Sequence, residues 1–402
     1  MVSLYEKRII LFISFLLLIS GPISADMFLP ALPAIQDYFS VTTSFIELTV
    51  PIYFIAFGLA QFGFGYISDL HGRKKIIILG IFISALGSLC CYKASNPLFF
   101  MGGRVMQGIG LGASTGLVRA VWKDLYIDTQ LLKINSLATS LNAILLLILP
   151  LVGGVIHYFY AWQTIFFSIF CLNLFCLFIA FFFIKESSAE LAEDTFQEKF
   201  FRYNLNLISN IDFLFYSVMA AISFGLVILF ITEAPIIIQR ELGFSSLEYG
   251  QKLIFPISGL IVSGVLNSIL APKYNSNVLF KTGVFLALFF STMLNLFQYY
   301  PILNGEFIIY LMSFAMFSLG LILSNSFPLA MKTIEKMYGT SSSLYGVIQL
   351  VGTSLFLFLV TNLFVTSLHN FLVIFFGMSV LLNMMILIFS NYLSINSRVV
   401  WK

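Results

Sequence analysis

Residues 63–75 read GFGYISDLHGRKK. Long apolar runs flank the stretch on both sides, and it interrupts them with Asp69, His71, Arg73, Lys74 and Lys75 inside about ten residues. Small residues lead in at Gly63, Gly65 and Ser68; the acid follows, then a glycine and a basic cluster. A gap of that length between two apolar runs predicts a tight turn joining two membrane spans. The basic cluster puts the turn on the cytoplasmic side, because Lys and Arg resist translocation.

The rest of the chain obeys the same rule. Of its 402 residues 59% are hydrophobic and only 10% charged, and the mean hydropathy is +0.99. A water-soluble domain of that composition would expose large apolar patches. A span needs about 20 apolar residues to cross about 30 Å of hydrocarbon. Twelve runs qualify, at 9–36, 45–67, 76–93, 98–118, 135–156, 162–184, 213–236, 247–270, 279–298, 306–328, 343–366 and 371–391. The expected fold is an all-α membrane protein with twelve transmembrane helices in two six-helix bundles. The first run follows Lys7 and Arg8 in the manner of a signal peptide, but its apolar character resumes through Phe28 to Ile35, so it reads as a retained span. Cys90, Cys91, Cys171 and Cys176 lie in or beside apolar runs and imply neither disulfides nor a metal site. A net charge of +3 is no footprint for nucleic acid.

With the N-terminus inside, every one of the 21 Lys and Arg falls on the cytoplasmic side except Lys93, Arg104, Arg240 and Lys252. Both termini are therefore expected in the cytoplasm. The longest polar interval, from Lys185 to Asn210, mixes both signs of charge and divides the spans six and six. The expected organisation is an N-terminal bundle over 1–184, a cytoplasmic linker over 185–212 and a C-terminal bundle over 213–402. Each half carries an acid shortly before a proline near the outer end of its first span, Asp26 with Pro30 and Glu233 with Pro235.

Charged and polar residues inside apolar runs are the candidate functional groups. Asp26 lies about 25 Å of helix rise from the inner boundary. A lone ionised carboxylate there costs a few kcal/mol or more, so it must be protonated, paired or facing water. Two readings compete: an interfacial acid at a helix end, and a proton carrier, the second favoured because burial of a carboxyl promotes its neutral form. Arg104, about 9 Å into the fourth span, needs an acid or backbone carbonyls unless it snorkels outward. Glu47 and Glu233, near span ends, read first as interfacial charges, with Glu233 kept as a cavity candidate. Asn142, Asn267, Asn325 and Gln349 either bind substrate or link helices. Pro150, Gly153 and Gly154 bend the fifth span and let the other bundle approach. Among 46 phenylalanines and an aromatic share of 17%, Tyr53, Phe57 and Tyr345 are the candidates for a cavity suited to apolar substrates.

The loop Gly65, Asp69, Gly72, Arg73 and Lys74 resembles the Gly-x-x-x-Asp-x-x-Gly-Arg-Lys motif of the major facilitator superfamily. ADMFLPALPAI (25–35), GRVMQGIGLGAS (103–114), VRAVWKDLY (118–126) and LPLVGG (149–154) resemble the twelve-span drug:proton antiporters of the Bcr/CflA (bicyclomycin/chloramphenicol resistance) type. In that type 118–126 is a loop. The resemblance implies proton coupling through Asp26 and Arg104, with Gln107 as a polar neighbour one turn further in. It also implies a conformational latch at the 63–75 loop, in which Asp69 meets the start of the eleventh span near 340–343. This chain departs from the pattern at Leu70, where arginine is usual, and at Leu149, where glycine is usual.

The expected activity is proton-coupled export of drugs or other small amphipathic molecules by alternating access, as a monomer in a bacterial inner membrane. The proton gradient is the energy source and no cofactor is required. The alternative on the same fold is a dedicated siderophore or metabolite transporter in either direction. Enzyme chemistry is disfavoured by the scattering of His71, His157 and His369 and by the lack of a nucleophile–base or metal motif. No ring of charges suggests a channel.

Overall fold

The computed structural model of the chain describes residues 4–126, 128–184, 186, 205–241, 243–271, 273–297, 305–332, 334, 338–363 and 367–399. Most of the linker expected at 185–212 lies outside them, as do the side chains of Asp69 and Leu70. All regular structure among the described residues is helical. Twelve long helices carry the fold: α1 Leu4–Asp26, α2 Thr49–His71, α3 Arg73–Tyr92, α4 Pro97–Leu125, α5 Asp128–Phe159 and α6 Gln163–Phe183 in the first half; α7 Ile211–Ile236, α8 Ile254–Leu270, α9 Ser276–Phe297, α10 Gly305–Met331, α11 Tyr338–Leu363 and α12 Leu368–Val399 in the second.

The two halves are separate six-helix bundles. In the first, α2 and α3 pack on α4, α3 on α6, and α1 on α4, α5 and α6; in the second, α7 packs on α10, α11 and α12, α8 and α9 on α10, and α9 on α12. Small residues let α4 sit deep in its bundle. A Cβ at Gly112 would overlap the backbone carbonyl of Phe57 on α2, and one at Gly80 on α3 would lie 2.6 Å from the Gly110 carbonyl. Where solvent offers no hydrophobic drive between helices, such close packing is what holds them together.

Several boundaries differ from the sequence expectation, each for a local reason. The 63–75 interval is almost entirely helical: α2 runs to His71, α3 starts at Arg73, and the turn is Gly72 alone. Gly72 has φ +95°, which only glycine adopts without strain, and this permits so sharp a reversal. Residues 118–125, expected in a loop, extend α4 to Leu125, and α5 begins at Asp128, before the apolar run at 135. The first span is broken. α1 ends at Asp26, a 3₁₀ turn covers Leu29–Ala31, and a short helix continues over Leu32–Phe39. Pro30 and Pro33 lack the N–H groups that a continuous α-helix would use. The seventh span breaks similarly: after Pro235 the chain widens into a π segment at Ile237–Glu241.

The bundles are joined at the end that holds Asp37. At the Asp37 end Arg240 Nη2 donates to Asp37 Oδ1 (2.5 Å) and to the Pro33 carbonyl (3.2 Å), and Gln239 Nε2 donates to the Pro30 carbonyl (2.9 Å). Midway, α2 touches α11 at Gly58, where a Cβ would lie 3.2 Å from Val351 Cγ2. Gly65 lies on the same face of α2 two turns nearer the Gly72 end, and Gly346 one turn from Leu350 on α11. A Cβ at either would meet nothing within 4 Å.

Candidate functional site

The break after α1 leaves the Ser24 carbonyl available inside the apolar core, and Arg104 uses it. The guanidinium is fully buried. Its Nη1 donates to the Ser24 carbonyl (2.7 Å) and to Gln107 Oε1 (2.7 Å), and Nε reaches the Thr49 carbonyl (3.5 Å). Phe28 and Tyr53 place their rings 4.3 and 4.6 Å from it. Two rings, two carbonyls and an amide therefore satisfy a charge that would otherwise be costly at this depth. The snorkelling alternative does not occur, because every one of these partners lies in the bundle interior.

Behind Arg104 a hydrogen-bonded chain crosses three helices. Gln107 Nε2 donates to Ser88 Oγ (2.8 Å), and Asn173 Nδ2 on α6 donates to Ser84 Oγ (3.0 Å) and Ser88 Oγ (3.2 Å) on α3. Gln107, fully buried, is thereby the link between the arginine and the bundle core. Such networks hold a side chain in one orientation.

Asp26, the last residue of α1, is 6% exposed. It interacts electrostatically with Arg104, with Tyr53 and, across the bundle boundary, with Tyr249. Asp26 and Arg104 are both buried and act on each other without forming an ion pair, and Nη2 of the arginine has no hydrogen-bond partner among the described residues. The Tyr249 hydroxyl and Ser24 Oγ are likewise buried without partners. An unpaired donor and a hydroxyl from the opposite bundle thus both lie within electrostatic reach of Asp26, and buried polar groups left unpaired are costly enough to mark a site that something else completes.

Tyr249 is the residue that sequence reading missed. It lies on a short helix, Ser246–Lys252, that opens the eighth span, held by a capping box in which Ser245 and Glu248 bond reciprocally. That helix packs against α5 at Gly154, where a Cβ would lie 2.6 Å from the Ser246 carbonyl, while a Cβ at Gly153 would overlap the Met27 carbonyl. Pro150, Gly153 and Gly154 therefore bring α5 against both the break after α1 and the opposite bundle. The capping box was legible as Ser-x-x-Glu; nothing singled out one tyrosine among 18.

A matching contact is made by the second half. Glu233, the acid before the break of α7, meets Glu47, which ends the short helix Thr43–Glu47 opening the second span. The sequence reading of both as interfacial charges is corrected: Glu47 is fully buried and Glu233 is 2% exposed, because each bundle covers the other's acid.

The remaining candidates divide. Tyr53 is buried and its hydroxyl donates to the Gly21 carbonyl (3.0 Å); Phe57, half-buried, lies near Gly21 one turn along α2. Asn142, half-buried on α5, has a partnerless Oδ1, and Gln349 is half-buried on α11. Asn325 is a helix linker and no cavity group, its Nδ2 bonding Asn267 Oδ1 (2.7 Å) and the Leu321 carbonyl (2.9 Å). Tyr345 is buried against Phe327 and bonds Ser326, joining α11 to α10. At the Gly72 turn, the Arg73 and Lys74 N–H groups donate to Glu186 Oε1 (2.7 Å) and Oε2 (3.3 Å), so a carboxylate beyond α6 caps α3.

The sequence model of the Major Facilitator Superfamily matches residues 14–357. The chain belongs to that superfamily. Among relatives, this superfamily member is 26% identical over 360 residues to the uncharacterized MFS-type transporter YdgK of Bacillus subtilis, an alignment covering 86% of this chain and 87% of YdgK. It is 26% identical over 238 residues to the multidrug resistance protein MdtL of Escherichia coli, covering 59% of this chain and 60% of MdtL. The fold is shared with a D-xylose–proton symporter (TM-score 0.73, 17% identity, 94% of this chain and 97% of that one). It is also shared with an inward-facing bacterial homolog of the human lysosomal transporter Spinster (TM-score 0.73, 16% identity, 89% and 82%). The MFS fold makes the two-bundle arrangement a transporter scaffold, with Asp26 facing the opposite bundle at Tyr249.

Proposed function

We propose that this transporter is a proton-coupled exporter of drugs or other small amphipathic molecules, of the Bcr/CflA type, acting as a monomer in a bacterial inner membrane with both termini cytoplasmic. In this orientation the Asp37 end, where the bundles are joined, is extracellular and the Gly72 end is cytoplasmic. The observation that carries the reading is the Asp26–Arg104–Tyr249 constellation. An acid and a base buried within electrostatic reach of each other without an ion pair leave Asp26 free to exchange a proton, and Tyr249 reports the opposite bundle to it. When Asp26 is ionised it attracts Arg104 Nη2; when protonated it releases it. Either change pulls on the Ser24 carbonyl at the break of α1, so that proton state and helix position move together. Substrate biases the bundles the other way, which is alternating access about a boundary site. A charge moved across 100 mV contributes about 2.3 kcal/mol, more than a tenfold concentration ratio.

The experiment is uptake of a panel of lipophilic drugs and dyes into inverted vesicles under an imposed pH gradient. Wild type is expected to accumulate at least one compound in a way that an uncoupler abolishes, and Asp26→Asn is expected to lose that accumulation. Proton-driven uptake left intact by Asp26→Asn would overturn the assignment. A second reading, a dedicated siderophore or metabolite transporter, is favoured by Leu149 standing where the antiporter motif has glycine. Mass spectrometry of medium from a deletion strain, grown with and without iron, separates the two.

A further inference from the structure

Among the described residues Glu47 and Glu233 are the most deeply buried acids, and the Asp26–Arg104 relation makes no use of them. Their carboxyl groups are buried side by side across the bundle boundary, close enough to act directly on each other. No N–H or O–H among the described residues donates to either oxygen of Glu47 or to Oε1 of Glu233. Two carboxylates cannot make such a contact while both are ionised; one proton must lie between them, because like charges at this separation and burial are prohibitive. The charged groups on the elements packed around the pair do not relieve it. Glu241 acts on Glu233 with the same sign. Arg240 is engaged with Asp37, and Lys252 lies over the Phe244 ring.

The placement is not incidental. Glu233 precedes the break of α7 as Asp26 precedes that of α1, and each acid faces the short capped helix that opens the second span of the other half. Opening the extracellular face must part the short helix Thr43–Glu47 from α7 and so divide the pair.

We propose that Glu47 and Glu233 form a second proton site, a carboxyl pair that holds one proton between the bundles while the extracellular face is closed and releases it to extracellular water when that face opens. The proton leaves as the two carboxylates separate, each gaining water for the hydrogen bond it loses. Closing the face then requires a proton to be taken up again from that side. The consequence for transport rests on the alternating-access reading above; the protonation itself does not.

Infrared spectroscopy of the purified protein in lipid nanodiscs at neutral pH tests it. An Asp26→Asn background removes the other buried acid of the boundary, so failure of the Asp26 assignment in vesicles has no bearing on the result. The background protein is expected to show the carbonyl band of a protonated carboxyl, shifted in D₂O. Adding Glu47→Gln is expected to abolish it, since the amide donates to the remaining carboxylate and replaces the proton. Adding Glu233→Gln instead is expected to do the same. Absence of the band from the background protein, or its survival at full intensity in both Gln variants, would overturn the proposal. Both substitutions are isosteric, and if one variant cannot be purified the other decides.

Discussion

Replacing Arg104 by lysine keeps the charge and removes the geometry. The guanidinium bonds the Ser24 carbonyl and Gln107 Oε1 through one nitrogen, at 2.7 Å each, and lies between the rings of Phe28 and Tyr53. An ammonium on a flexible stem keeps one of those bonds in place and stacks poorly. One charge-assisted hydrogen bond is worth about 1.5–3 kcal/mol, and the weaker ring contact about 0.5–1 kcal/mol more. The expected cost is therefore about 2–4 kcal/mol, felt at the break of α1. Thermal unfolding of a fluorescently tagged protein in detergent should show a clear loss of stability, and the rate of driven uptake should fall by a factor of ten or more. Arg104→Gln is the companion. It removes the charge with the geometry, so stability falls while Asp26 loses the cation it faces. In the double-mutant cycle of Arg104→Gln with Asp26→Asn, uptake and stability should be coupled by about 1 kcal/mol or more. Additivity within about 0.5 kcal/mol would refute the electrostatic partnership and leave Arg104 as a packing residue.

Three further outcomes are expected. Gly153→Ala places a methyl group against the Met27 carbonyl, forcing α5 away from the break of α1; uptake should drop several-fold and thermal stability with it, whereas Gly63→Ala, in open space, should change neither. Glu186→Gln weakens the cap on α3 at Arg73 and Lys74, at about 1 kcal/mol for an exposed cap, read as faster proteolysis at the Gly72 turn. Asp69→Asn is expected to weaken the outward-facing state and slow turnover, and an unchanged rate would remove the latch from the mechanism.

The spans were legible because an apolar run of about bilayer length crosses as a helix. Asp26 and Arg104 stood out for a related reason: in an apolar run one charged group is conspicuous. What stayed hidden was the pairing of elements from opposite halves. Glu47 and Glu233 each lie near a span end, where charge is cheap, and only the packing of the second span against α7 makes them buried partners. Gln107 and Asn325 show the same limit. A polar residue among apolar neighbours has the same local sequence whether it faces a cavity or another helix, and here both face helices. The Gly72 turn was placed correctly but drawn too long, because charged side chains at a helix end read as loop when they are helix extended past the bilayer.

The two acids that precede the helix breaks are equivalent in position and opposite in company. Asp26 faces a cation, Arg104, that its own bundle fixes through Gln107, Ser88 and Asn173. Glu233 faces a second acid contributed by the other bundle. Parting the bundles leaves the first relation intact, since Asp26 and Arg104 travel together, but destroys the second. Asp26 is therefore suited to carry a proton through the whole cycle and to exchange it on either side. The Glu47–Glu233 pair exists only in one state and is suited to report that state. A transporter built this way ties proton uptake to closure at one face through the pair and to cargo at the centre through Asp26. Loss of the pair should then leave exchange of cargo possible while loosening its dependence on external pH.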